Sequence, residues 1–135
     1  MRNCSSSFTR ATVVVVSAMA KVTDALLKEG SFAASGDETK ALSMLSDLQE
    51  RHEVTAIELL VNSERLITKL AKLTADLQEV LHAVSALREL TPRTSDPIAS
   101  FGERLSIELV AAALREGGIP SEVVDSQECI LTDDN

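Results

Sequence analysis

Two hydroxyl residues, Ser17 and Thr23, bracket the short run Ala18-Met19-Ala20-Lys21-Val22, directly after the apolar run Val13 to Val16. Hydroxyls placed just past the end of a buried strand can meet a ligand, because open α/β sheets bind ligands beyond the carboxyl ends of their strands. A second cluster lies far along the chain, Ser100-Phe101-Gly102-Glu103-Arg104-Leu105-Ser106. It sets a carboxylate and a guanidinium beside a glycine at a helix start, where first-turn amides can hold an anion. Glu103 can accept hydrogen bonds from an ammonium group, with Arg104 and Ser106 as supporting candidates. From spacing alone the plainer reading is favoured: Glu103 complements the helix dipole and Arg104 is solvated.

The elements expected to position these residues follow from patterning. Four consecutive valines with polar residues at both ends predict a strand buried on both faces, as in a parallel sheet covered by helices. Thr23 or Asp24 is expected to cap the next helix, which runs to Glu29 and stops at Gly30. Gly30 to Gly36 reads as a small-residue loop. The helical pattern resumes at Asp37, with Leu42, Leu45 and Leu48 on one face up to His52-Glu53. Ala56, Ile57, Leu59 and Leu60 continue it in a second segment. Asn62-Ser63 offers a cap for the strongest pattern of all, Leu66, Leu70, Leu73, Leu77, Val80/Leu81, Val84 and Leu87. That spacing predicts an amphipathic helix of about seven turns. Thr91 to Pro97 reads as a loop with two prolines. Ile98 to Arg115 reads as a helix burying Leu105, Leu109, Ala112 and Ala113, and ending at Gly117-Gly118. Glu122 to Asp125 and Ile130-Leu131 are expected as short strands. The sum is a helix-rich α/β layer fold with a few mostly parallel strands. So small a sheet exposes edges and leaves its helices half a core, which predicts marginal stability without another chain.

Composition sets limits. A chain of 135 residues is one domain's worth. A net charge of -8 argues against a nucleic-acid surface, and Phe8, Phe32 and Phe101 are too few to make a stacking platform. Cys4 and Cys129 have no CxxC spacing, which points away from a disulfide framework or zinc site and toward a reducing cytoplasm. His52 and His82 read as ordinary helix-surface or boundary residues. Met1 to Ala20 mimics a secretory signal ending in Ala18-Met19-Ala20, but its apolar part is short and valine-rich. No stretch is long enough for a membrane span. Neither nucleic acid nor membrane is an expected partner, and residues 1–12 are expected to be poorly ordered.

Taken together, the two clusters resemble the aspartokinases of the amino acid kinase superfamily. The resemblance is carried by VVVVSAMAKVTDALL at Val13 to Leu27, LTPRTSDPIASFGERLSIELVAAALREGGI at Leu90 to Ile119, and VVDSQECILTDDN at the end. RHEVTAIELL, in the helical stretch between them, also looks like the family's helical insert. Similarity spans essentially the whole chain, and the pairing of SAM-x-x-VTD with SFGERLS is specific. The resemblance implies a partial amino acid kinase-like three-layer α/β/α domain over residues 13–135, with a helical insert at about residues 37–90. It implies ATP-dependent, Mg2+-assisted phosphorylation of the β-carboxylate of L-aspartate to 4-phospho-L-aspartate, the first step of lysine, threonine and methionine biosynthesis. In the family, the hydroxyls of the first motif and the FGE glutamate hold aspartate. Ser17 and Thr23 would then contact the substrate, and Glu103 its α-amino group. Hydroxyl donors suit a carboxylate, and an anionic acceptor suits an ammonium.

The chain also departs from the family. Many members carry glycine where this chain has Lys21, which alters the loop's backbone freedom. The glycine-rich KFGGTS-type phosphate segment has no counterpart in MRNCSSSFTRAT before Val13. The nucleotide-handling and regulatory parts are also missing. The expectation is an aspartate-side fragment without kinase activity by itself. Two alternatives stay open. One is a non-catalytic helical binding or dimerisation module, which would form a homo-oligomer. The other is a kinase acting on glutamate or acetylglutamate, against which the FGERLS context stands. Asp125, Thr132, Asp133 and Asp134 read as solvated.

Overall fold

The leucine stripe beginning at Leu66 forms one of four helices in the computed structural model, which describes residues 11–125. The helices are α1 (Val22–Ser35), α2 (Glu38–Leu59), α3 (Glu64–Leu87) and α4 (Pro92–Glu116). In α3 the stripe is Leu66, Leu70, Thr74, Leu77, Leu81 and Val84. Thr74 is tolerated there because its hydroxyl donates to the Leu70 carbonyl and lies 3.1 Å from Gln49 Oε1.

The expected α/β class is wrong for the described residues, which contain no strand. Val13 to Val16 is not a buried strand: Val13 and Val15 are 87% and 93% exposed. Glu122 to Asp125 is not a strand either. A β-branched run becomes a strand only when a neighbour completes its ladder, and the described residues offer none. The expected strand at Ile130-Leu131, both cysteines, and nearly all of the segment expected to be disordered lie outside the described residues.

The helices instead bury one another, so the expected half-empty core is replaced by a shared one. Leu26, Leu70, Leu77, Leu81, Ile98 and Leu105 are fully buried, with Leu45 and Leu48 of α2 joining them. Each such side chain contributes roughly 2 kcal/mol of transfer free energy.

Three local boundaries differ from expectation. Gly30 does not end a helix. It is buried inside α1, where a Cβ would lie 3.3 Å from both Ile98 and Leu90. Close packing there outweighs the helix-propensity cost of glycine, about 1 kcal/mol. The true stop is Gly36 at φ 89°, over which the Arg88 guanidinium lies. The two segments expected between Asp37 and Leu60 are a single helix, α2, whose cap Asp37 accepts from the Lys40 amide at 3.1 Å. Thr91 to Pro97 is not a loop. Pro92 occupies the first helical position, where no amide partner is lost, and Thr91 and Thr94 cap the helix reciprocally. Pro97 is absorbed inside the same helix.

Candidate functional site

Gly102 joins the two sequence clusters. It lies in the interior of α4 rather than at the helix start expected for it, so the first-turn amides and the dipole role expected of Glu103 do not arise. It is buried in α4, and a Cβ there would stand 2.8 Å from Ala18 Cβ and 3.3 Å from both Leu26 and Val22. Only glycine lets the loop before α1 approach α4 this closely. The loop is held from a second side by Arg51 of α2, whose Nη1 donates to the Ala20 carbonyl at 3.0 Å. A tight turn closes it, with the Val22 amide donating to the Met19 carbonyl.

Thr23 and Asp24, each expected as a cap for α1, do not cap it. The cap is Lys21, without any side-chain cap bond, and both lie inside the first turn. Asp24 there complements the positive end of the helix dipole. Lys21 adopts φ 65°, ψ 2°, the left-handed region that costs an L-residue about 1–2 kcal/mol. Lys21→Gly is therefore expected to stabilise the chain by about 0.5–1 kcal/mol after the extra entropy of glycine in the unfolded state is offset. Urea unfolding checks this, and a loss of stability would contradict the strain argument.

The structure sets the segments bearing Ser17, Thr23 and Glu103 against each other at the Gly102 contact. Ser17 and Glu103 are exposed and Thr23 is half-buried. Among the described residues, neither hydroxyl has a protein hydrogen-bond partner and Glu103 has no ion pair. Their polar atoms are free for a ligand. Arg104 is fixed by its stack on Phe101, with its guanidinium carbon 4.6 Å from the ring centroid. Ser106 differs from the others: it is buried on the core side of α4, away from solvent. An open cleft of about 250 Å³ lies nearby between α1 and α2, lined by Val22, Ala25, Met44, Asp47, Leu48 and Arg51.

Sequence patterning missed two interior groups. Glu29 is fully buried, both carboxylate oxygens lack a partner, and burial pushes its pKa up to about 8. The signal was present in its register with Val22, Leu26 and Ala33 on the buried face of α1. His52, expected at a surface or boundary, is also fully buried. Its Nδ1–H donates to the Leu48 carbonyl at 2.7 Å, Nε2 has no partner, and burial pushes its pKa down. His82 is exposed as expected, and its 2.6 Å contact with Glu38 raises its pKa. Arg51 carried no sequence signal, since its role depends on a contact 31 residues away.

No protein-family model matches the chain. Its sequence is similar to aspartokinase 1, chloroplastic, of Arabidopsis thaliana, with 36% identity over 90% of this chain and 21% of that protein. It is 39% identical to aspartokinase 2, chloroplastic, of the same plant, over 90% of this chain and 22% of that protein. It is 34% identical to the plant's bifunctional aspartokinase/homoserine dehydrogenase 1, chloroplastic, over 88% of this chain and 13% of that protein. The chain thus spans about a fifth of the length of the curated aspartokinases it matches. The names of these plant relatives indicate the chloroplast rather than the cytoplasm expected for this chain. Among the described residues no helix is long and apolar enough to cross a membrane.

Proposed function

We propose that this homologue of one aspartokinase segment forms the part of an aspartate kinase site that holds L-aspartate, the acceptor in ATP-dependent formation of 4-phospho-L-aspartate. One observation supports the reading: Gly102 packs on Ala18, Val22 and Leu26, which brings the backbone segment carrying Ser17 and Thr23 against the turn of α4 that carries Glu103. Glu103, exposed and unpaired among the described residues, accepts the ammonium of the amino acid. The hydroxyls of Ser17 and Thr23 donate to a carboxylate. A carboxylate on one side and hydroxyl donors on the other match the charge pattern of a free amino acid. Charge-assisted hydrogen bonds of this kind are about twice as strong as neutral ones.

Magnesium-ATP does not fit the described residues. The chain has five glycines. Gly30 and Gly102 are buried within helices, while Gly36, Gly117 and Gly118 follow helix ends. None makes a phosphate-cradling loop, and the described residues contain no group of three or more His, Cys, Asp or Glu able to hold a metal. The chemistry proposed for these residues is amino-acid binding and orientation.

Calorimetry with L-aspartate on the unaltered chain and on Glu103→Ala is the test. Saturable binding that weakens by about 2 kcal/mol in the variant is expected, in the range for a hydrogen bond to a charged group. Equal binding in both would remove Glu103 from the site. A second reading, a non-catalytic association module, is favoured by Ile57, Leu59 and Val61, which leave apolar area exposed around the end of α2. That reading expects no aspartate binding in either chain.

A further inference from the structure

The geometry points to Arg51 as a positioning residue of the aspartate site, acting through the backbone of the substrate loop. This inference rests on the aspartate reading above and extends the site to helix α2. Arg51 is exposed, yet one of its guanidinium nitrogens is committed to the Ala20 carbonyl at 3.0 Å, a contact spanning 31 residues of sequence. Ala20 lies in the turn between the two hydroxyls, and Lys21, with its strained positive φ, follows directly.

Three ties hold that loop: Ala18 against Gly102, the Met19 carbonyl to the Val22 amide, and the Ala20 carbonyl to Arg51. The first two come from the loop and from α4. Arg51 is the tie that comes from α2, and it stands beside Asp47 in the cleft that separates α2 from α1. Its hydrogen bond opposes the tendency of a non-glycine residue to leave the left-handed region. Without it, Lys21 relaxes, the turn opens and the spacing between Ser17 and Thr23 is no longer held.

The experiment uses the full chain, with L-aspartate as the probe in calorimetry and hydrogen exchange followed peptide by peptide. In Arg51→Gln, amides of the 17–26 segment are expected to exchange faster while α3 and α4 are unchanged. Affinity for L-aspartate should fall about tenfold, equivalent to about 1.4 kcal/mol. Arg51→Lys, which keeps a donor, retains most of the affinity. Adding Lys21→Gly to Arg51→Gln restores binding, because glycine adopts the loop conformation without a tether. A purely structural role would not predict that rescue. Unchanged affinity and unchanged loop exchange in Arg51→Gln overturn the inference while leaving the aspartate reading intact. Faster exchange spread evenly over all helices in both Arg51 variants also overturns it, since the residue would then be a general stabiliser. If the unaltered chain binds no aspartate, the functional reading falls and the positioning role falls with it, whatever the loop exchange shows.

Discussion

Replacing Glu29 by glutamine is expected to flatten the loss of stability that its burial predicts for the unaltered chain between pH 6.5 and 8. The cause is a carboxyl group with no exposed surface and no partner for either oxygen. Its pKa is raised from 4.5 to about 8, so between those values the folded state keeps a proton that the unfolded chain releases. The contribution of Glu29 is therefore complete below pH 4.5 and falls as pH rises, by about 1.4 kcal/mol per unit, until the folded pKa is passed. From pH 6.5 to 8 the fall is about 2 kcal/mol. His52 works in the opposite sense, because its folded pKa is lowered from 6.5. It costs stability as pH falls below 6.5 and is neutral in both states well above it. His82, paired with Glu38, has a raised pKa, and its contribution fades as pH rises through that value. Its effect runs in the same direction as that of Glu29, which is why the glutamine variant is the needed comparison.

Urea unfolding at pH 6.5, 7 and 8 gives the two curves. Parallel curves would show that Glu29 is solvated or paired in solution. Glu29→Leu goes further, filling the site with an apolar group that needs neither proton nor partner. At pH 7 it should add about 3 kcal/mol, a large share of the 5–15 kcal/mol that holds most domains folded. An acid so placed is a departure from polar satisfaction, and natural chains concentrate such departures where function or assembly requires them.

The second large effect belongs to the contact between Gly102 and Ala18. Gly102→Ala places a methyl group 2.8 Å from the Ala18 methyl, closer than two carbons can approach. Alanine favours the helix over glycine by about 1 kcal/mol, but overpacking costs about 1–3 kcal/mol, so a net loss is expected. The loop yields before α4 does, because it has fewer ties, and on the aspartate reading proposed above L-aspartate binding is expected to fall with its displacement. Gly102→Val makes both losses larger. Ala18→Gly removes the opposing methyl, so the pair Gly102→Ala with Ala18→Gly should return to within about 1 kcal/mol of the starting chain and recover binding. Coupling of about 1–2 kcal/mol in this cycle is the signature of direct contact. Strictly additive effects would mean that the loop and α4 do not meet.

The parts legible in the sequence were those that local physics decides. The Leu66-to-Leu87 stripe became α3 because a repeat near 3.6 residues can face a core only as a helix. Gly117-Gly118 ended α4 as expected, with Gly118 at φ 85°. Pro92 was recognised as a boundary but read from the wrong side, since proline opens a helix as readily as it follows one.

The candidate residues Ser17, Thr23 and Glu103 could be named from motif and resemblance, yet the approach of their segments depends on a missing Cβ at Gly102. Ser106 shows the limit of that method. It stands within the motif, and the register of α4 turns it toward the core.

By itself the sequence determined which stretches repeat as helices, which side chains carry charge, and which motifs carry the resemblance. Tertiary structure alone decided that Val13 to Val16 meets no strand among the described residues, and that Glu29 and His52 are enclosed. It also decided that Arg51 reaches Ala20. Helical periodicity is written in neighbouring residues, whereas a strand, a buried charge and a long-range hydrogen bond depend on partners that only the packed chain supplies.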